Sequence, residues 1–252
     1  MEILLCGLAL GCQPGAPQDT GEAWDEDRQV EVPEGAFTMG CDRGEDDPTC
    51  PADASPAHEV VLSGFWIDRL EVQVGDYGAC IQAGGCTPPT TPGVPTDEAD
   101  LPVTSVSLEQ ADNYCAWRGK RLPTEAEWEK AARGTDGRAY PWGDTPADCT
   151  RARLPWCGDR VGPAGAYPRG ASPYGALDMV GNAWELVADF YGDTYYAESP
   201  TNNPGGPDAS GLHLARGASL MAGGDSARVT RRVPTVGDNA SPLVGFRCVE
   251  ER

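Results

Sequence analysis

Ten cysteines and two histidines are the residues most able to do metal or nucleophile chemistry in this 252-residue chain. Thiolates hold soft metals and act as nucleophiles, whereas paired thiols close disulfides. Cys6 and Cys12 sit in a short apolar run at the start of the chain. The others are Cys41, Cys50, Cys80, Cys86, Cys115, Cys149, Cys157 and Cys248. An even number of these in an exported chain implies disulfides. Cys41–Cys50, Cys80–Cys86 and Cys149–Cys157 would each close a short loop. That leaves Cys115 with Cys248, although eight cysteines admit about 105 pairings. A metal site has less support, because there is no CxxC pair and no nearby His. His58 and His213 are too few for a site that needs two or three imidazoles. His58 reads as a hydrogen-bonded structural residue at a strand start. His213 lies in a Gly-rich stretch with no acidic or His neighbour. Glu125, Glu127 and Glu129 crowd the start of a helix, where negative charge suits the helix dipole. There is no P-loop and no GxSxG.

The elements that must hold these residues are short. Gly 32 and Pro 23 together exceed a fifth of the chain, which excludes long bundles and coiled coils. Val30–Met39, His58–Leu62 and Phe65–Val72 read as strands. Asp76–Gln82 reads as a short helix ending at Gly84-Gly85. Two helices are clearer. Ser107 and Gln110 form a capping box ahead of Leu108, Ala111 and Cys115, and Gly119 stops that helix. Thr124 and Glu127 form a second box. Ala126, Trp128 and Ala131 supply the buried side of the helix that follows, and Gly134 ends it. From Tyr140 to Glu250 the chain reads mostly as loop, broken every few residues by Gly, Pro, Asn and Asp. Two main helices within a long irregular chain with few strands indicate an α+β domain. Loops of such length are usually functional or braced by disulfides and ions. The length is ample for a hydrophobic core.

The net charge of −20 excludes a general nucleic-acid binder, which needs a basic footprint. It also argues against docking on anionic lipid through charge. Residues 1–12 read as a signal or lipoprotein leader. Ile3–Gly11 is apolar but too short to span a bilayer. Leu8-Ala9-Leu10-Gly11-Cys12 resembles the lipobox of bacterial lipoproteins, which makes Cys12 a candidate lipidation site. Residues 13–29 read as an acidic flexible tether, and 30–252 as the globular domain. The expected location is outside the cytoplasm, either secreted or in the cell envelope. A membrane would be met only through the lipid anchor.

GKRLPTEAEWEKAARG at 119–134 resembles the core signature of the formylglycine-generating enzyme family, also called the sulfatase-modifying factor family. FWIDRLEV at 65–72, YPWGD at 140–144, SPYGALDMVGNAWEL at 172–186, RGAS at 216–219 and GFRC at 245–248 follow the family order. The resemblance covers about residues 30 to 250. It implies that family's C-type lectin fold, loop-rich with two main helices and small antiparallel sheets. It also implies a disulfide between Cys115 and Cys248, because the family joins cysteines at these two places.

The family oxidises a substrate cysteine to formylglycine with oxygen, on two cysteine thiolates that hold Cu(I). The matching positions here are Ala222 and Ala227, and Leu220 stands where the family usually has an aromatic residue after the serine. Alanine cannot bind copper, so the resemblance implies the fold without the oxidase, and no copper. Met221 is a lone thioether and reads as core packing. Relatives that use non-haem iron take ligands from a His-rich domain, so no iron site is expected. Asp178, Gly181, Ala183 and Glu185 resemble the family's calcium loop, two acids alternating with two carbonyls. Calcium is therefore the expected cofactor. The region of the family's second calcium site corresponds here to the Cys149–Cys157 loop. The reading is a binding module for a peptide, protein or glycan ligand. Trp142, Trp156, Trp184, Tyr191, Tyr195 and Tyr196 are candidates to line its groove. The alternatives are an enzyme of the family, another reaction in the same cleft, or a structural envelope lipoprotein.

Overall fold

The computed structural model describes residues 28–44, 47–89, 98–208, 211–223, 227–236 and 240–252. The leader, Cys6, Cys12 and nearly all of the tether lie outside the described residues. Strands β1 (Gln29–Val32), β4 (Phe65–Asp68) and β9 (Val249–Glu251) form an antiparallel sheet in the order β1-β4-β9. Strands β2 (Gly35–Met39) and β3 (His58–Leu62) form a hairpin. The third sheet has the order β7-β6-β5-β8, from β5 (Trp184–Phe190), β6 (His213–Arg216), β7 (Arg232–Thr235) and β8 (Val244–Phe246). Only its β5–β8 pairing is parallel.

The stretch expected as a single strand over Val30–Met39 is two. Pro33 offers no N–H to a ladder, and Gly35 takes φ +128°, so the chain turns there. The stretch after Tyr140 carries five strands where loop was expected. All are short, and all but the last contain or adjoin Gly, Pro or Asp, which hides the alternation. His213 accordingly sits on β6, its ring 4.5 Å from that of Phe190.

Three helices form. α1 (Val74–Gln82) starts two residues earlier than the sequence suggested, because its N-cap position, Gln73, makes no side-chain cap. α2 (Leu108–Trp117) and α3 (Glu125–Arg133) both have complete capping boxes, from Ser107 with Gln110 and from Thr124 with Glu127. Gly119 after α2 and Gly134 at the end of α3 take the positive φ that stops a helix. α3 is buried on every side, charged residues included, and Trp128 at its centre is fully enclosed. This helix is the hub. It contacts β2, β3, β5 and β6.

Among the described residues four disulfides tie the loops: Cys41–Cys50, Cys80–Cys86, Cys149–Cys157 and Cys115–Cys248. These are the pairs that loop spacing and the family resemblance suggested. The last joins α2 to the chain end across 133 residues. Among the described residues no helix is long and apolar enough to cross a membrane.

Candidate functional site

The loop from Asp178 to Glu185 is wound tightly. Asp178, Gly181 and Asn182 all have positive φ, at 57°, 92° and 61°. Gly181 is required, because a Cβ there would stand 2.7 Å from the Arg153 carbonyl oxygen. Asn182 holds the coil from inside. Its Oδ1 accepts from Gly162 N at 2.8 Å, and its Nδ2 donates to Glu71 Oε2 at 2.7 Å. The Ala183 N–H donates to Glu71 Oε1 at 3.2 Å. Asp178 Oδ2 accepts from Gly165 N at 2.5 Å. Glu185 is bridged by Arg247 through two 2.6 Å contacts and accepts from Trp128 Nε1 at 2.7 Å.

Three buried carboxylates, Glu71, Asp178 and Glu185, thus meet one guanidinium, that of Arg247. The imbalance shows at Glu71 and Asp178. Burial, with the charges of Asp178 and Glu185, pushes Glu71 well above the ordinary carboxylate range despite Arg247. Burial takes Asp178 up to about 6 against the pull of the Gly165 N–H and Arg247. Among the described residues, no hydrogen bond reaches the buried carbonyl oxygens of Gly181 or Ala183. Buried acceptors are rarely left so. No three His, Cys, Asp or Glu side chains among the described residues form a ready cage. The donor set is nevertheless all oxygen, with surplus negative charge and two vacant carbonyls, and it fits a hard cation such as calcium. Asp178, Gly181, Ala183 and Glu185 would supply the ligands. Glu185 would do so while also paired to Arg247. Glu71, which sequence reasoning missed, adds the third carboxylate. It lies more than 100 residues upstream, inside FWIDRLEV, where nothing local marks it as a partner.

Ala222 and Ala227, which the resemblance matches to the family's copper cysteines, lie on the connection between β6 and β7. Leu220 N donates to Asn182 O at 3.1 Å, joining this connection to the coiled loop. Ala222 is half-buried, and Ala227 is fully buried in the main core beside Val229. Neither position offers a ligand atom. Met221, expected in the core, is 74% exposed. Its N–H is drawn to the Ser219 hydroxyl at 3.1 Å, a tight local turn that sends the side chain outward. Trp156 is 56% exposed and lies against Gly223, where a Cβ would meet its ring at 2.4 Å. Trp142 is stacked on Tyr140 at 5.3 Å. Tyr196 is fully buried and does not face a groove. Of the expected aromatic set, Trp156 is the one the structure leaves largely open, and it sits beside this connection.

Beneath the connection lies a charged frame. Arg216 donates to Glu125 Oε1 at 2.8 Å, Glu129 Oε2 at 2.5 Å and Val229 O at 2.7 Å. Arg232 grips Glu125 at 2.7 and 3.1 Å, and Arg133 holds Glu129 at 2.9 Å. Burial alone would raise Glu129. Arg216 and Arg133 outweigh it and hold this carboxyl below its usual range. The Tyr196 hydroxyl donates to Glu125 at 3.0 Å. The glutamates of α3 are therefore core ion-pair partners, not merely charges placed for the helix dipole. Arg133 and, for Glu127, Arg121 are local partners, but Arg216 and Arg232 come from 87 to 107 residues later, which no local pattern reveals.

Residues 15–252 match the family described as the sulfatase-modifying factor enzyme 1-like domain. The chain belongs to the sulfatase-modifying factor family. It is 32% identical to a formylglycine-generating enzyme of Streptomyces coelicolor, over 88% of this chain and 89% of that protein. It is 40% identical to the inactive C-alpha-formylglycine-generating enzyme 2 of Mus musculus, over 60% of this chain and 50% of that one. Among solved structures, PvdO from Pseudomonas aeruginosa superposes with a TM-score of 0.76 at 26% identity, covering 89% and 94% of the two chains. The α+β fold expected from the sequence is that of the sulfatase-modifying factor family.

One further acid in this sulfatase-modifying factor domain sets a pH dependence. Asp189 caps α3, accepting from Glu125 N at 2.7 Å. Burial, helped by the Glu125 charge, pushes its carboxyl up to about 8. The fold therefore favours the protonated acid. Its stabilising contribution is full below the ordinary Asp range, at about pH 4, and is lost as pH rises through about 8. Asp189→Asn keeps the acceptor and removes the titration. Its melting temperature relative to the parent protein should climb steadily between these limits. A difference that stays flat with pH would show that Asp189 titrates normally.

Proposed function

We propose that this chain is an exported, calcium-stabilised binding domain built on the formylglycine-generating scaffold, and not a copper oxidase. The observation that carries this reading is chemical. Ala222 and Ala227 stand where the family resemblance places the copper thiolates, and all eight cysteines of the domain are in disulfides. Soft thiolate is what selects Cu(I), and none is free among the described residues to supply it. The similarity to a mouse relative named as inactive is in keeping with such a loss. Four disulfides suit an oxidising compartment, and Cys12 would be the lipid anchor. The open Trp156 and Met221 beside the β6–β7 connection are the contact residues we assign to a peptide or glycan. Calcium bound in the Asp178–Glu185 coil would neutralise surplus carboxylate and brace the connection through Asn182. It would supply rigidity, and no reaction step passes through it.

The reading is tested on the domain secreted into an oxidising compartment. Alkylation without reduction, followed by intact mass, should count no free thiol. Titration with Cu(I) should show no stoichiometric site. Calcium should raise the melting temperature by the mass-action relation, and a chelator should reverse it. One copper per chain, or oxidation of a cysteinyl peptide under oxygen, would restore the enzyme. Calcium without effect on the melting curve would remove the metal from the proposal.

A further inference from the structure

A cavity of about 200 Å³ opens between the end of β4, the first turn of α1 and the end of α2. Its walls include Glu71, which also bonds Asn182 and Ala183 of the coiled loop, but no residue of the β6–β7 connection. Arg28, Asp68, Asp76, Tyr114, Arg118 and Lys120 are among its walls. Most of this charge is spent internally. Arg28 reaches both oxygens of Asp76, at 3.0 and 3.1 Å, and Lys120 reaches Asp68 at 2.5 Å.

Two groups are not spent. Tyr114 is 4% exposed, and its hydroxyl has no hydrogen-bond partner among the described residues although it borders the cavity. The ring is enclosed, but the hydroxyl itself opens onto the cavity. Burial first, and Asp76 next, raises this phenol, so it stays protonated and remains a donor. Arg118 has no carboxylate partner among the described residues. Its guanidinium only rests against Trp117, 5.9 Å from the ring centroid. A donor hydroxyl beside an uncommitted guanidinium is a receptor for a carboxylate. The Asp68 and Asp76 carboxylates on the same wall have acceptor capacity beyond their present partners and suit an ammonium group. The walls are also stiff. Tyr114 stacks on Tyr77 at 5.5 Å and meets Phe246 edge-on at 5.5 Å. The neighbouring Cys115 is bonded to Cys248, whose N–H donates to Asp68 at 2.9 Å. The volume is below the about 300–1,000 Å³ of pockets for drug-sized ligands, which limits the guest to a few heavy atoms.

We propose that this cavity binds a small free amino acid, with its carboxylate on Arg118 and the Tyr114 hydroxyl and its ammonium on Asp68 and Asp76.

The test is calorimetric titration of the intact domain with L-alanine, with propionate, which lacks the ammonium, and with ethylamine, which lacks the carboxylate. L-alanine should bind at millimolar concentration or below, and each fragment about tenfold more weakly or worse. Tyr114→Phe keeps the ring contacts and removes only the hydroxyl. Arg118→Ala removes an exposed-side cation. Each should weaken L-alanine by about tenfold while near-ultraviolet circular dichroism stays that of the parent. Absence of L-alanine binding overturns the proposal. So does binding that both variants retain, or propionate binding as well as L-alanine. None of these outcomes bears on copper or the β6–β7 connection.

Discussion

Arg216→Met should cost about 3–5 kcal/mol, the range for breaking a buried ion pair by removing one partner. Two features place this residue at the severe end. Its side chain is fully enclosed, with Glu125, Glu129 and the Val229 carbonyl all depending on it. The Trp128 ring lies 5.3 Å from its guanidinium, so a methionine restores the packing but not the charge. Arg133 and Arg232 remain, and they soften the loss without replacing the bond to Glu129 Oε2. Against a typical total of about 5–15 kcal/mol this is a large fraction. Urea unfolding should show it as a lower midpoint with unchanged slope. The comparison is Arg228→Met. Arg228 pairs with Asp47 at a partly exposed position, where such pairs are worth about 0–1 kcal/mol. Equal losses in the two variants would mean that the buried frame has no special weight.

Removing Cys115 and Cys248 together, each to Ala, should destabilise the domain by about 4–5 kcal/mol on the chain-entropy account. The same account gives only about 2 kcal/mol for the pair Cys80 and Cys86, because the loop it closes is so short. The longer link spans 133 residues, and both its cysteines are fully buried in the second core cluster. The two double variants, compared in the same denaturant series, should therefore differ by about twofold in lost stability. Equal losses would mean that the unfolded chain is already held compact between these points, or that packing outweighs chain entropy.

The sequence made local features legible and left the long-range ones hidden. Both capping boxes and the glycine stops of α2 and α3 are encoded within a few residues, and they appear as expected. The short disulfides are equally local. The strands after Tyr140 escaped because each is only three to seven residues long and all but the last contain or adjoin turn residues. Glu71 escaped as a neighbour of Asp178 and Glu185 because its role exists only once β4 is brought against the coiled loop. The charged face of α3 was misleading in a specific way. Helical periodicity assigns Glu, Lys and Arg to solvent, yet here Glu125 and Glu129 meet Arg216 and Arg232 from β6 and β7, and Lys130 is taken up by the Pro33 and Gly35 carbonyls. The tyrosine at 196 belongs to that same frame, which explains why its aromatic ring signals packing and not a groove.

The way β6 returns as β7 has a consequence for change over generations. Arg216 faces Arg232 across the ladder, and its guanidinium also holds the Val229 carbonyl, so both ends of the connection are fastened to α3. Ala222 contributes nothing to that fastening, and Ala227 contributes only a methyl group to the core. A lineage can therefore rewrite the tip of this connection, thiols included, while the scaffold keeps its stability. Chemistry and architecture are inherited separately here, and a domain so arranged can lose one trade and take up another without passing through an unfolded ancestor.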